Sequence, residues 1–195
     1  MIRPAVPEDQ ATLYEICRRT GDAGGDASAL YADPDLLGEI WVGPYLELEP
    51  ELAFVATDNE GPAGYVLGAA DTAAFEARCE RDWWPRLRLR VPDPADTGGL
   101  TPDQQLHRMI HHPPATDPGV LVEYPAHLHI DLLPRAQGHG VGRRLMETFL
   151  GTLRRRGVGG VHLGVDPRNH NAIGFYTRLG FARLEPDGDL YGLRL

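Results

Sequence analysis

Ala126-His127-Leu128-His129-Ile130-Asp131-Leu132-Leu133-Pro134-Arg135-Ala136-Gln137-Gly138-His139-Gly140-Val141-Gly142 decides how this chain folds. Polar and apolar side chains alternate up to Leu132, the period of a strand with one polar and one apolar face. Pro134 ends the pattern, three glycines follow, and Val141, Leu145, Phe149 and Leu153 then recur every fourth residue, the period of a helix with one buried stripe. The spacing predicts a strand over 126–133 and a helix over 140–156. Glycines remove the Cβ atoms that hold an anion away from the backbone, and the first amides of a helix have no partner inside it. The loop is therefore predicted to cradle a phosphate. A plain strand-to-helix turn has the same pattern, so the loop alone does not decide the function.

Downstream of this stretch, residues 161–165 read as a strand and 171–179 as a helix. Gly180 stands where a C-terminal cap belongs, and two short apolar segments follow. Two strands bridged by a helix predict a parallel pair within a mixed sheet. Upstream, residues 52–56 and 64–68 flank Asp58-Asn59-Glu60-Gly61, which predicts a hairpin. Ile2-Arg3-Pro4-Ala5-Val6 predicts a first strand, and Pro7-Glu8-Asp9 starts a helix to about Arg19 that buries Leu13, Ile16 and Cys17. Gly21 to Ser28 predicts a mobile loop, and Asp33-Pro34-Asp35 starts a short helix with Leu36, Leu37, Ile40 and Trp41 on its buried face. Residues 72–123 are the least regular: a short helix with Phe75 and Cys79, then Pro- and Asp-rich chain, a pattern that predicts an irregular lid or substrate-recognition insert.

Bulk composition narrows the function classes. At 195 residues, 42% hydrophobic and 24% charged, the chain fits one domain over 1–195. A formal charge of −9 argues against a general nucleic-acid partner, because phosphate backbones repel an acidic surface, and it favours cationic acceptors. No stretch approaches the roughly 20 apolar residues that cross a bilayer, so no membrane partner and a cytoplasmic location are expected. Cys17 and Cys79 form no Cys-x-x-Cys pair and are expected to be reduced packing residues. His107, His111 and His112 have helical spacing but no matching carboxylate or cysteine, so no metal site is expected. Arg86, Arg88 and Arg90 alternate with leucines and read as a solvated face rather than an anion site.

About 30 residues after the glycine loop comes Asn169-His170-Asn171-Ala172-Ile173-Gly174-Phe175-Tyr176-Thr177-Arg178-Leu179-Gly180-Phe181. Gln-x-x-Gly-x-Gly after a strand, followed by Asn-x-x-Ala-x-x-Phe-Tyr-x-x-x-Gly-Phe, resembles the paired cofactor motifs of GNAT acetyltransferases, and the opening Ile-Arg-Pro-Ala-x-Pro-Glu-Asp resembles their first strand and helix. The resemblance implies an α/β fold with a central mixed, mostly antiparallel sheet, one splayed parallel strand pair and helices on both faces. A closer likeness, carried by Tyr65-Val66-Leu67-Gly68, Phe75, Cys79, Trp84-Pro85, Tyr124-Pro125, Ile130-Asp131 and Glu185, is to the acetyltransferase-like C-terminal domain of O-GlcNAcase and its free-standing bacterial relatives. In the eukaryotic domain that loop is degenerate; here it is intact.

The resemblance implies acetyl-CoA as co-substrate. Backbone groups of Leu132 and Leu133 would pair with its pantetheine arm, and the amides of Gln137, Gly138, His139, Gly140, Val141, Gly142 and Arg143 would cradle its pyrophosphate. Asn169 and Ala172 would border the arm, and Tyr176 would stand near the sulfur as the acid. The implied function is N-acetyl transfer to a small-molecule or peptide amine in a ternary complex; the alternative is a module that holds acyl-CoA without turnover. Transfer needs a base for the amine and a backbone donor for the negative charge that develops on the carbonyl oxygen, for which the Leu132 or Leu133 amide is expected. His127, His129 and Asp131 share one face of the strand. Arylalkylamine N-acetyltransferases carry a similar Ala-His-Leu-His, one residue out of register with the glycine loop. His129, Asp131 and Asp166 are the base candidates, with Glu123 competing. Trp41, Tyr45, Phe75, Trp83 and Trp84 are expected to pack the core or to wall an acceptor pocket. The acceptor and the oligomeric state stay open.

Overall fold

Arg3 clamps Asp9 through two hydrogen bonds of 2.6 and 2.7 Å, and Asp9 also accepts from the Val6 amide at 2.9 Å. This pins the first strand, β1 (Ile2–Pro4), to the first helix, α1 (Gln10–Thr20). The Arg3 hydrogen bonds hold the Asp9 carboxyl below the usual range despite its burial. The computed structural model describes residues 1–95 and 98–195; Asp96 and Thr97, inside the segment expected to be irregular, lie outside the described residues. After α1 come α2 (Leu36–Trp41), α3 (Gly43–Leu48) and the hairpin β2 (Ala53–Asp58) and β3 (Gly61–Ala69). The C-terminal half supplies β4 (Ala126–Leu132), β5 (Gly160–Gly164), β6 (Ala182–Arg183) and β7 (Leu190–Arg194).

The seven strands form one sheet in the order β1-β2-β3-β4-β5-β7-β6. Its pairs are antiparallel except β4 with β5, which are parallel and matched only at Ala126 with Val161 and His127 with His162. Beyond His127 the two strands splay. The expected mixed, mostly antiparallel sheet with one splayed parallel pair is the fold observed.

Alternation along β3 and β4 divides the core. Tyr65, Leu67 and Leu133 pack beneath α1, α2 and α3. Val66 and Leu128 pack on the other face against Leu145, Met146, Phe149 and Leu153 of the connecting helix. Each such side chain taken fully out of water contributes about 1.5–3 kcal/mol, so the two clusters lock β4 between helices on both faces.

The segment expected to be irregular is instead largely helical. It holds α4 (Thr72–Arg78), a wide turn at Cys79–Trp83, α5 (Trp84–Arg88), α6 (Pro102–His111) and α7 (Pro118–Glu123). Asp71 caps α4 by accepting from the Ala74 amide at 3.0 Å. Thr101 and Gln104 cap α6 reciprocally, the threonine hydroxyl accepting at 3.3 Å and the glutamine oxygen at 2.9 Å. The loop after α1, expected to be mobile, forms a tight turn: Asp22 and Gly25 exchange backbone bonds of 3.0 and 2.7 Å. Ala23 and Gly24 take positive φ values of 49° and 89°, as a two-residue hairpin turn demands.

Candidate active site

β4 runs straight into the glycine loop. Gly138 and Gly140 have φ of 78° and 72°, which glycine alone adopts without strain, and α8 (Val141–Arg155) starts directly after them. Arg135 ties the loop to the β2–β3 turn by donating to Asp58 at 2.8 Å and to the Pro62 carbonyl at 2.9 Å. The Gln137 side chain folds back to donate to the Leu132 carbonyl at 2.9 Å. The free amides of the first turn of α8 therefore face a cleft of about 700 Å³ that fills the splay.

Most of the residues expected to bind the cofactor meet in this cleft. Leu132, Gln137, Gly138, Gly140, Val141, Gly142, Arg143, Asn169, Ala172 and Tyr176 line it, with the 22–25 turn bordering it. Leu133 and His139 are outside the lining. The Leu133 amide donates to Ala63 at 2.9 Å, so its backbone belongs to the β3 ladder. In an antiparallel ladder successive residues alternate in direction, which turns the Ile130 and Leu132 amides toward the splay. Of the two amides expected as the backbone donor, Leu132 is thus the one that faces the splay. His139 is exposed, and its carbonyl accepts from Arg144 at 3.2 Å. Asn169 caps α9 (His170–Arg178) by accepting from Ala172 at 3.0 Å, which leaves its side-chain nitrogen for the cleft. Arg143 and Arg178 give the mouth positive charge, against the chain's net −9.

Tyr176 is 7% exposed, packed edge-on against Phe181, and its hydroxyl has no partner among the described residues. Burial, reinforced by the nearby Asp131 charge, raises its pKa far above the ordinary value, so it is held protonated. Asp131 lines the same cleft. It accepts from the Tyr65 hydroxyl at 2.6 Å, and burial raises its own pKa against that bond.

His129 lies on the same face of β4 as Asp131 but opens onto a second cavity, of about 430 Å³, which begins where the cleft ends on β4. Its tautomer follows from a chain of single protons. The Thr72 hydroxyl gives its one hydrogen to the Pro125 carbonyl at 2.8 Å, so it accepts from His127 Nδ1 at 2.8 Å. Burial keeps His127 neutral, with its pKa far below the ordinary value. Its bare Nε2 therefore accepts from the Tyr45 hydroxyl at 2.8 Å, and the Tyr45 oxygen accepts from His129 Nε2 at 3.0 Å. Burial and then His162 bring the His129 pKa down to about 4, so Nδ1 carries a free lone pair with no partner among the described residues. Neither Tyr45 nor Thr72 was recognisable in this role from sequence, because only the fold brings them beside the histidines.

Other candidates fall away. Asp166 is corrected: it accepts from the Arg168 amide and guanidinium, both at 2.8 Å, and Arg168 also pairs with Asp22 at 3.0 Å. It is an exposed turn acid with a lowered pKa, set mainly by the Arg168 side chain, and it lines neither cavity. Glu123 is spent on Arg194 at 2.5 Å. Arg86 pairs with Glu47, Arg88 with Glu80 and Arg90 with Glu39, as a solvated face does. His111 contacts the Val91 carbonyl and His112 contacts Asp93. Cys17 and Cys79 are unpaired and buried. Among the described residues no helix is long and apolar enough to cross a membrane.

Known proteins resemble this chain in fold and in sequence. The crystal structure of SsHAT superposes with a TM-score of 0.91 at 43% identity, covering 100% of this chain and 97% of that one. Protein O-GlcNAcase of Rattus norvegicus is 29% identical over 180 residues, 92% of this chain but 20% of its own length. The chain thus spans about a fifth of that relative. Mycothiol acetyltransferase of Geodermatophilus obscurus is 34% identical over 149 residues, 72% of this chain and 47% of the relative. The profile of the acetyltransferase (GNAT) family matches residues 26–181, which spans the splayed strands, the glycine loop and α9 alike. On that match and on the fold that carries it, the chain belongs to the acetyltransferase (GNAT) family.

Proposed function

We propose that this chain is an acetyl-CoA-dependent N-acetyltransferase that moves the acetyl group directly to an amine, with residues 1–195 acting as one unit. The observation that carries this reading is β4 itself, whose Ile130–Leu132 end floors the cofactor-sized cleft while its His127–His129 end floors the second cavity. Two substrates entering from opposite sides would meet on one strand. The cleft fits the co-substrate: left-handed glycines at an anion-binding helix start, arginines at the mouth, and β4 amides turned into the splay.

Bound acetyl-CoA supplies a thioester, an electrophilic acetyl carbon with a sulfur leaving group. The chain supplies the rest. Amides of Gly138 and of Gly140 to Arg143 hold the pyrophosphate, and the Leu132 amide donates to the carbonyl oxygen as negative charge builds there. An alkylamine has a pKa near about 10.4, so at neutral pH it first gives up its ammonium proton to solvent, and its minor free-base form attacks. His129 Nδ1 accepts a proton from the attacking nitrogen, and the Tyr45–His127 chain spreads the resulting charge. Tyr176 donates its proton to the departing sulfur. One proton is taken and one is given, so no metal and no covalent enzyme intermediate are required. A module that merely holds acyl-CoA needs the glycine loop but has no use for a free His129 lone pair or an unpartnered Tyr176 hydroxyl.

Direct transfer has a kinetic signature. With both substrates varied, double-reciprocal plots should intersect, and protein incubated with acetyl-CoA alone should carry no acetylated side chain by mass spectrometry. Parallel lines with an acetylated residue would establish a covalent route instead.

A further inference from the structure

We infer that the second cavity takes a primary amine carried on a flat, apolar body with no acid group; the inference rests on the acetyl-transfer reading and names its acceptor class. Half of the residues lining the cavity come from 72–123, so this segment is the wall of a pocket rather than a connector. Tyr45 and Phe75 are stacked with centroids 4.5 Å apart and planes 20° from parallel, and Trp41 and Trp84 line the same space. Such rings favour flat apolar bodies and cations, and a sugar's hydroxyls would need more hydrogen-bond partners than this wall leaves free.

Charge makes the same choice. The cavity is lined by no lysine or arginine, and its histidines are neutral, so an acid group on the substrate would find no counterion. Among the described residues two carboxylates line it. Glu80 spends both oxygens on Arg88, at 2.6 and 2.8 Å. Glu76 accepts from the Thr116 amide and hydroxyl through Oε1 alone, at 3.1 and 2.7 Å, and leaves Oε2 without a partner among the described residues. The Glu76 charge reaches both Tyr45 and His162. It is therefore placed to draw an ammonium group toward the histidines.

The test is calorimetric titration, in the presence of CoA, with 2-phenylethylamine, phenylalanine and glucosamine, alongside release of CoA thiol from acetyl-CoA with each. 2-Phenylethylamine should bind, and phenylalanine, which adds a carboxylate to the same body, should bind at least about 100-fold more weakly. Glucosamine should be weaker by a similar factor. Glu76→Gln keeps an oxygen for Thr116 and should weaken 2-phenylethylamine about tenfold; Trp84→Ala should weaken it as much. Equal or tighter binding of phenylalanine or glucosamine, or no binding of 2-phenylethylamine, would overturn the inference. Thiol release with glucosamine but not 2-phenylethylamine would remove the acceptor class and leave the transferase standing. Binding of 2-phenylethylamine with no transfer to any amine would remove the transferase and leave the cavity assignment standing.

Discussion

Tyr176→Phe is expected to lower kcat by about 10²–10³, the range for losing a general acid, while acetyl-CoA affinity changes by no more than about twofold. The asymmetry follows from what the substitution removes. The ring stays, and with it the packing against Phe175 and Phe181, so the cleft keeps its shape. Only the hydroxyl is lost, and no described residue depends on it for a hydrogen bond. A hundredfold loss corresponds to about 2.7 kcal/mol of transition-state stabilisation, more than the packing change of one buried oxygen would produce. Steady-state kinetics beside calorimetry separates the two quantities, and equal loss of both would contradict an acid role.

His129→Gln should lower kcat/KM at pH 7 by about 10²-fold. The defect should persist as pH rises toward the acceptor's own pKa, because a free-base amine still has a proton to shed once it has attacked. Burial works the sign of the wild-type profile. Protonation of His129 belongs near about pH 4 rather than 6.5, so the base is available across the neutral range and no imidazole-like limb near pH 6.5 should appear. The rate should instead climb with pH until an alkylamine acceptor is deprotonated. Tyr45→Phe retains the stacked ring but breaks the bond that fixes the His129 tautomer, and should cost about tenfold. A profile with a limb at pH 6.5, or full activity in His129→Gln, would move the base elsewhere on β4.

The parts of the molecule legible in sequence were those set by local pattern. Glycines 138, 140 and 142 marked the loop because positive φ and close backbone approach leave few alternatives. The four-residue spacing from Val141 to Leu153 marked α8, and the Asn169 to Phe181 motif placed α9 and Tyr176. The segment 72–123 was misread as irregular because its helices are short and separated by prolines, although Thr101-Pro102-Asp103-Gln104 is a capping signal that marks the start of α6. Asp166 looked like a base because strand ends often carry one, but charge pairing with Arg168 claims it. The Thr72–His127–Tyr45–His129 chain joins residues up to 84 positions apart, and no periodicity encodes such a contact. Likewise, the one-residue alternation that gives Leu133 to β3 and frees Leu132 depends on register with Ala63, which only pairing fixes.

Titration of acetyl-CoA into the purified protein by calorimetry, set beside the same titration of Gly140→Trp, tests the whole account most directly. A tryptophan at a position with φ of 72° both strains the loop and fills the phosphate cradle. One molecule should bind per chain in the native protein, and binding should be at least about 100-fold weaker in a Gly140→Trp protein that retains its melting temperature to within a few degrees. No heat of binding to the native protein, or undiminished binding after the substitution, would mean that the glycine loop is only a turn.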